Sequence, residues 1–227
     1  MLGGEFYSST STEDYWRAGA YENSISNLLV GVDHYDYYKS DGFVFYGILK
    51  PFQAVELSVT YNNEQYSSLK AINDFSVFSK YSSYRINPAI DPNFDQIDQE
   101  SITLGITLNP DEINNFAPLS TTFSVKAELV NNSAFSNDFR YNKYQAELKS
   151  NLRLDRSTLI KWRLMAGGIT GEAPAFKNFA LGGVGSLRAM GYKAISGNQM
   201  LLSNLELQFG KSSSHKKGWP DLSSTTL

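Results

Sequence analysis

The sequence predicts an all-β chain, an antiparallel sheet of about eight strands with one apolar and one polar face. Three observations carry this. Apolar and polar residues alternate with period two over long runs. Aromatic residues fill 14% of the 227 positions, with 14 Tyr and 14 Phe, whereas charged residues fill only 19%, below the roughly 25% usual in soluble domains. No stretch approaches the roughly 20 consecutive apolar residues of a spanning helix.

The runs are taken in chain order. Tyr15 to Val30 is a weak candidate for one long strand or two short ones, and no segment reads as an amphipathic helix. Gly42 to Leu49 is apolar on both faces. Ala54 to Tyr61 sets Val55, Leu57, Val59 and Tyr61 against Glu56, Ser58 and Thr60. Ser101 to Leu108 sets Ile102, Leu104, Ile106 and Leu108 against Thr103, Gly105 and Thr107. Thr122 to Val130 sets Phe123, Val125, Ala127 and Leu129 against Ser124, Lys126 and Glu128. The longest run, Lys143 to Leu154, keeps Tyr144, Ala146, Leu148 and Leu152 on one face and Lys143, Gln145, Glu147, Lys149 and Arg153 on the other. That exceeds the five or six residues most common in strands and suits the roughly nine to eleven needed to cross a bilayer at a tilt. Thr158 to Ala166 and Gln199 to Phe209 complete the set.

Periodicity alone leaves a membrane barrel and a soluble sandwich both open, because each alternates for the same reason. In the barrel, the charges Lys126, Glu128, Lys143, Glu147, Lys149, Arg153, Lys161 and Arg163 face a wet lumen, and Trp16, Trp162 and Tyr144 are candidate interfacial anchors. In the sandwich, those charges form a solvated exterior. The connections favour the barrel. Lys50-Pro51-Phe52 and Asp155-Arg156-Ser157 read as tight joints, while Asn62 to Gln99, with Phe75, Phe78, Tyr81 and Tyr84, reads as one long connection. Short turns at one end and long loops at the other is the asymmetry of outer-membrane barrels.

Other functions lack their residues. There is no cysteine, the two histidines His34 and His215 have no metal-ligand spacing, and the net charge of -3 gives no reason to expect nucleic acid. No Gly-x-Ser-x-Gly elbow occurs, and Gly185-Ser186 has no arranged base, so no catalytic residue, metal or cofactor is expected. Asp91, Asp95, Asp98 and Glu100 read as a solvated acidic surface without the spacing of a calcium loop. The opening Met1 to Tyr7 has neither a basic segment nor an apolar run, so an export signal is expected upstream.

Gly167 to Asn198, GGITGEAPAFKNFALGGVGSLRAMGYKAISGN, is dense in glycine and predicts a compact, specific loop across 167–198. Within it and the strand that follows, Leu181-Gly182-Gly183, Leu187-Arg188, Gly197-Asn198, and Asn204 with Glu206 form an ordered pattern. That pattern resembles the bacterial surface antigen (D15) domain, the outer-membrane barrel of the Omp85 superfamily, whose members are BamA/TamA-like. Ala189 and Met190 stand where the family has a Gly-aromatic pair, and Gly191-Tyr192 supplies such a pair two residues later. The segment around Arg85-Ile86-Asn87-Pro88 is similar to another loop of such barrels.

The resemblance implies a sixteen-stranded membrane-spanning antiparallel barrel, incomplete here. Residues 1–210 are its carboxyl-proximal part and 211–227 an irregular tail or truncated connection. It implies residence in the bacterial outer membrane and a role in inserting or translocating proteins or lipids, with no enzymatic step. Outer-membrane lipids, unfolded or exported polypeptides and periplasmic domains encoded upstream are the implied partners. It also implies that the loop folds into the lumen with Arg188 as its anchor, for which Glu206 is an available carboxylate. A porin-like barrel, the anchor of a patatin-like surface enzyme and a soluble all-β binding module are the alternatives.

Overall fold

The computed structural model describes residues 1–70, 75–78, 85–110, 118–155 and 157–210. In chain order these contain β1 (Leu2–Ser11), α1 (Ala20–Val30), β2 (Tyr38–Phe52), β3 (Val55–Ser68), β4 (Gln96–Leu108), β5 (Leu119–Leu129), β6 (Arg140–Arg153) and β7 (Thr158–Glu172). A 3-10 turn (Ala175–Lys177), β8 (Phe179–Leu181), β9 (Ile195–Gly197) and β10 (Gln199–Phe209) follow. The 211–227 tail with His215, together with Tyr81, Tyr84 and Arg156, lies outside the described residues.

Eight strands form one antiparallel sheet in the order β1-β2-β3-β4-β5-β6-β7-β10, an up-and-down meander with β1 and β10 at its edges. The register places every alternating run in one phase. Leu49, Leu57, Ile106, Val125, Ala146, Ala166 and Leu201 lie in one row across seven strands. One row inward along the strands, Ser58, Gly105, Lys126, Gln145, Gly167 and Met200 occupy the opposite face. A slip of one residue at any pairing would exchange these faces, so the alternation fixes the register.

The two faces are used in an unusual sense. The buried cluster, including Tyr38, Tyr66, Ile97, Tyr141, Met165, Phe179 and Met200, belongs to the polar face, where loops cover it. The apolar face is bare, with Phe6 at 83% and Leu205 at 72% exposure. Trp162 and Tyr144 stand on this bare face, but Trp16 does not. Its ring lies on the loop-covered side against the guanidinium groups of Arg17 and Arg163.

Several elements differ from the sequence expectation. The segment Tyr15 to Val30 is not a strand, and most of it is α1. Glu22 reaches back to the Gly19 N–H (3.4 Å), and Gly31, at φ +70°, closes the helix by donating to the Asn27 carbonyl (2.9 Å). The helix turns its polar side inward: buried Asn23 bonds Asp33 (2.9 Å) and the backbone N–H of His34 (2.7 Å). The strand that completes the eight is β1, whose outer face carries only Leu2 and Phe6 as large apolar groups. Residues 167–172 extend β7 instead of opening the loop, because Gly167 presents bare backbone to the Phe179 ring. A Cβ there would meet that ring at 2.3 Å. The long connection narrows to residues 69–95, since β3 and β4 run on to Ser68 and back to Gln96. The expected joint at 155–157 is a tight turn: Asp155 accepts from the Ser157 and Thr158 N–H groups at 2.6 and 2.9 Å, which holds its carboxyl below the usual range.

Candidate functional site: the loop body on the polar face

Three connections meet over the loop end of the inner face. They are residues 12–37, the stretch 85–95, and residues 173–198 between β7 and β10. The last of these, the plug, is shaped by glycine at the positions where only glycine fits easily. Gly182 (φ +120°) and Gly183 (φ +83°) reverse the chain after β8, and Ser186 Oγ accepts the Gly182 N–H at 2.8 Å. Gly185 (φ +75°) touches the backbone of Arg17 so closely that an added Cβ would lie 2.0 Å from its carbonyl oxygen. Positive φ and close approach are the two tasks a Cβ obstructs.

A short strap, residues 13–17, holds the plug. Arg17 donates Nε to Asp14 (2.8 Å), Nη1 to the Gly182 carbonyl (3.1 Å) and Nη2 to the Ala180 carbonyl. Its guanidinium therefore satisfies two carbonyls at the plug's reversal. Asp14 also pairs with Lys193 (2.7 Å), which reaches Asp36 (2.5 Å) as well. Arg85 pairs with Asp36 and lies over the Tyr192 ring at 4.2 Å. The Tyr192 hydroxyl approaches Asp14 (3.3 Å) and the His34 carbonyl (3.1 Å), and burial together with Asp14 and Asp36 pushes its pKa up.

Beneath the strap is an ionic seat. Glu13 pairs with Lys143 on β6 (3.1 Å) and with Lys177 of the plug (2.7 Å), and Lys177 pairs with Glu128 on β5 (3.1 Å). The Lys177 side chain is 6% exposed. Tyr141 and Gln99 add hydrogen bonds to the same Glu128 oxygen, each at 3.1 Å. Burial alone would raise the Glu13 carboxyl, but the two lysines outweigh it and hold it far below the usual carboxylate range. For Lys177, burial opposes the charge, and Glu128 and Glu13 overcome it, lifting its pKa well above the ordinary lysine value. Opposite charges at contact distance decide both signs.

The pattern residues fall as follows. Leu181 is in β8, and Leu187 packs against the buried cluster. Gly191 has open space around its Cα, and Met190 accepts the Gly183 N–H (3.1 Å) through its carbonyl. Gly197 closes β9, and the Asn198 carbonyl accepts the Ile169 N–H (2.8 Å). Asn204 donates to the Ser186 carbonyl (3.1 Å), tying β10 to the plug. Arg188 is 78% exposed and lies 3.6 Å from Glu206, so the buried guanidinium that grips the plug is Arg17. Asp91 is not part of a solvated acidic surface. It is buried and accepts the Ala175 N–H (3.1 Å) ahead of the 3-10 turn. Glu13, Asp14, Lys177 and Lys193 carried no sequence signal, because the groups they join are remote in the chain.

The chain resembles in fold the crystal structure of BamA from Haemophilus ducreyi lacking POTRA domains 1-3. The TM-score is 0.57 at 14% identity, over 95% of this chain and 43% of that one. The likeness is one of fold, and the chain spans less than half the length of that protein. No family model matches the sequence, the surface antigen domain included, and no curated protein sequence matches it.

Proposed function

We propose that this chain is part of the wall of a bacterial outer-membrane β-barrel of the sixteen-stranded Omp85 kind. In this reading its plug and polar lumen assist the insertion or translocation of proteins or lipids. One observation carries it: the exposed face is the apolar one, continuous over eight strands, while the polar face bears the buried ions. A soluble sandwich does the reverse and buries its apolar rows between sheets. The strands are ten to fifteen residues long, enough to cross a bilayer at a tilt. The fold likeness to BamA supports the same reading. Its chemistry is non-covalent and requires neither cofactor nor catalytic side chain. Open edges at β1 and β10 require further strands, since unpaired amides in lipid cost several kcal/mol each.

Trp162, on the bare face, provides the test. In vesicles with brominated acyl chains its fluorescence should be strongly quenched, and Trp162→Phe should remove most of that quenching. A protein that stays folded and monodisperse without detergent or lipid, with Trp162 unquenched in vesicles, would overturn the reading.

A further inference from the structure

The inner face has two zones. The loop end carries the plug, and the turn end, below it, lies open. At the turn end of β6 and β7 the inward positions hold Lys149, Arg153, Lys161 and Arg163, with the carboxylates of Glu147 on β6 and Glu206 on β10 beside them. Glu147 is shared by Lys149 (3.0 Å) and Arg163 (2.6 Å). Arg153 and Lys161 make no ion pair among the described residues. Exposed Arg188 reaches over the same region from the plug, 3.6 Å from Glu206, and a cavity of ≈ 340 Å³ lies among Lys149, Lys161, Arg163 and Arg188, with Glu206 and Glu22 also on its lining. Five cations, Lys149, Arg153, Lys161, Arg163 and Arg188, thus face three carboxylates, Glu147, Glu206 and Glu22, and the region keeps a basic excess.

We infer that this stripe binds acidic segments of an extended polypeptide as they enter the lumen. The inference rests on the barrel reading above, in which short turns mark the periplasmic end. The geometry favours an extended chain over a compact anion. Lys149, Asn151 and Arg153 recur at every second residue, about 6.7 Å apart. Arg163 lies opposite Lys149 and Lys161 opposite Asn151, so the cations form a ladder with the two-residue repeat of a β-strand. Alternate carboxylates on an extended segment match that repeat, whereas a lone phosphate would engage only one rung. Low-dielectric walls lined with one sign of charge also concentrate a ligand of the opposite sign.

The test uses the complete barrel protein in detergent micelles at low salt, with fluorescein-labelled short peptides of alternating Glu-Ser or Lys-Ser read by anisotropy. The acidic peptide should bind at least about tenfold more tightly than the basic one and weaken as salt rises. The triple variant Lys149→Gln, Lys161→Gln, Arg188→Gln alters exposed side chains only and should lose about tenfold. Equal binding of the two peptides, or an unaffected triple variant, would overturn the inference. Displacement of the peptide by inorganic phosphate, or by anionic-lipid vesicles at equal charge, would overturn it too, assigning the stripe to a small anion or a lipid headgroup. Trp162 quenching by brominated lipid, measured on the same samples, separates failure of the stripe from failure of the barrel.

Discussion

Replacing Lys177 by Met should release the plug while leaving the wall intact. The side chain is 6% exposed and lies 2.7 Å from Glu13 and 3.1 Å from Glu128. Removing one member of a buried ion pair costs about 3–5 kcal/mol because the partner is left uncompensated. Here Glu13 keeps Lys143 at 3.1 Å, and Glu128 keeps Tyr141 and Gln99. The lower end of the range, about 3 kcal/mol, therefore applies. Because the seat joins loops to sheet, the loss falls on local opening of residues 173–198, whose equilibrium should rise roughly 100-fold. Lys193, clasped between Asp14 and Asp36, becomes a tryptic site only when that opening occurs. With reclosing faster than cleavage, the rate of cutting at Lys193 reports the open population and should rise by the same factor, while strand protection in hydrogen exchange stays unchanged. Cutting at Lys193 within about threefold of the parent, a change worth well under 1 kcal/mol, would refute the ionic seat as what holds the plug.

The same seat sets a pH window. Glu13 is depressed in the fold, so its contribution is present above its ordinary value of 4.5 and is lost as pH falls through the folded value. Lys177 is raised, so its contribution is present below 10.5 and is lost as pH climbs through its folded value. Hydrogen-exchange protection of residues 173–198 should be flat between these two values, and a loss of protection in the middle of the window would contradict the assignment. Gly185→Ala should displace the plug from Arg17, at a cost of about 2–3 kcal/mol from strained φ and collision, whereas Gly191→Ala, with open space around it, should be silent; both are read by cleavage at Lys193. Leu205→Arg, on the bare face at 72% exposure, should impair folding into vesicles by about 2–4 kcal/mol if that face meets midplane lipid. It should change stability by less than about 0.5 kcal/mol if the face meets water, so refolding yields in lipid decide between them.

The wall was legible because its signal is local. In Lys143 to Leu154 or Gln199 to Phe209 each residue's face follows from its neighbours two positions away, and burial preferences repeat often enough to fix the phase. β1 was not legible for the same reason. Gly4, Ser8 and Thr10 share its outer face with Leu2 and Phe6, and the apolar character of that region comes from Phe43 and Phe45 on β2. α1 escaped because its amphipathicity is inverted, although Gly31 as a left-handed cap and Glu22 in the first turn were both in the sequence. The plug's glycines announced a compact loop, and its Arg188 drew attention by pattern. The residues that hold it could not be read, since Glu13 and Lys177, or Arg17 and Gly182, lie far apart in the chain and meet only when two loops fold over one sheet.

Why the seat is ionic follows from what the polar face must do when uncovered. A wholly apolar seat would bind the plug through buried area alone, about 25 cal/mol per Å², with nothing to fix its position. Lys143 and Glu128 instead rehydrate on exposure, recovering the desolvation cost that burial imposed, so the net stability of the closed state is modest while its geometry is specific. Beside that seat Phe176, Phe179, Leu181 and Leu187 of the plug join the buried cluster, with the Phe176 ring 4.8 Å from Tyr38 and 5.2 Å from Tyr66. On the proposed barrel reading, a lumen that has to admit a chain and close again is served by this division: ions set the plug's position, and the apolar cluster supplies the burial that holds it.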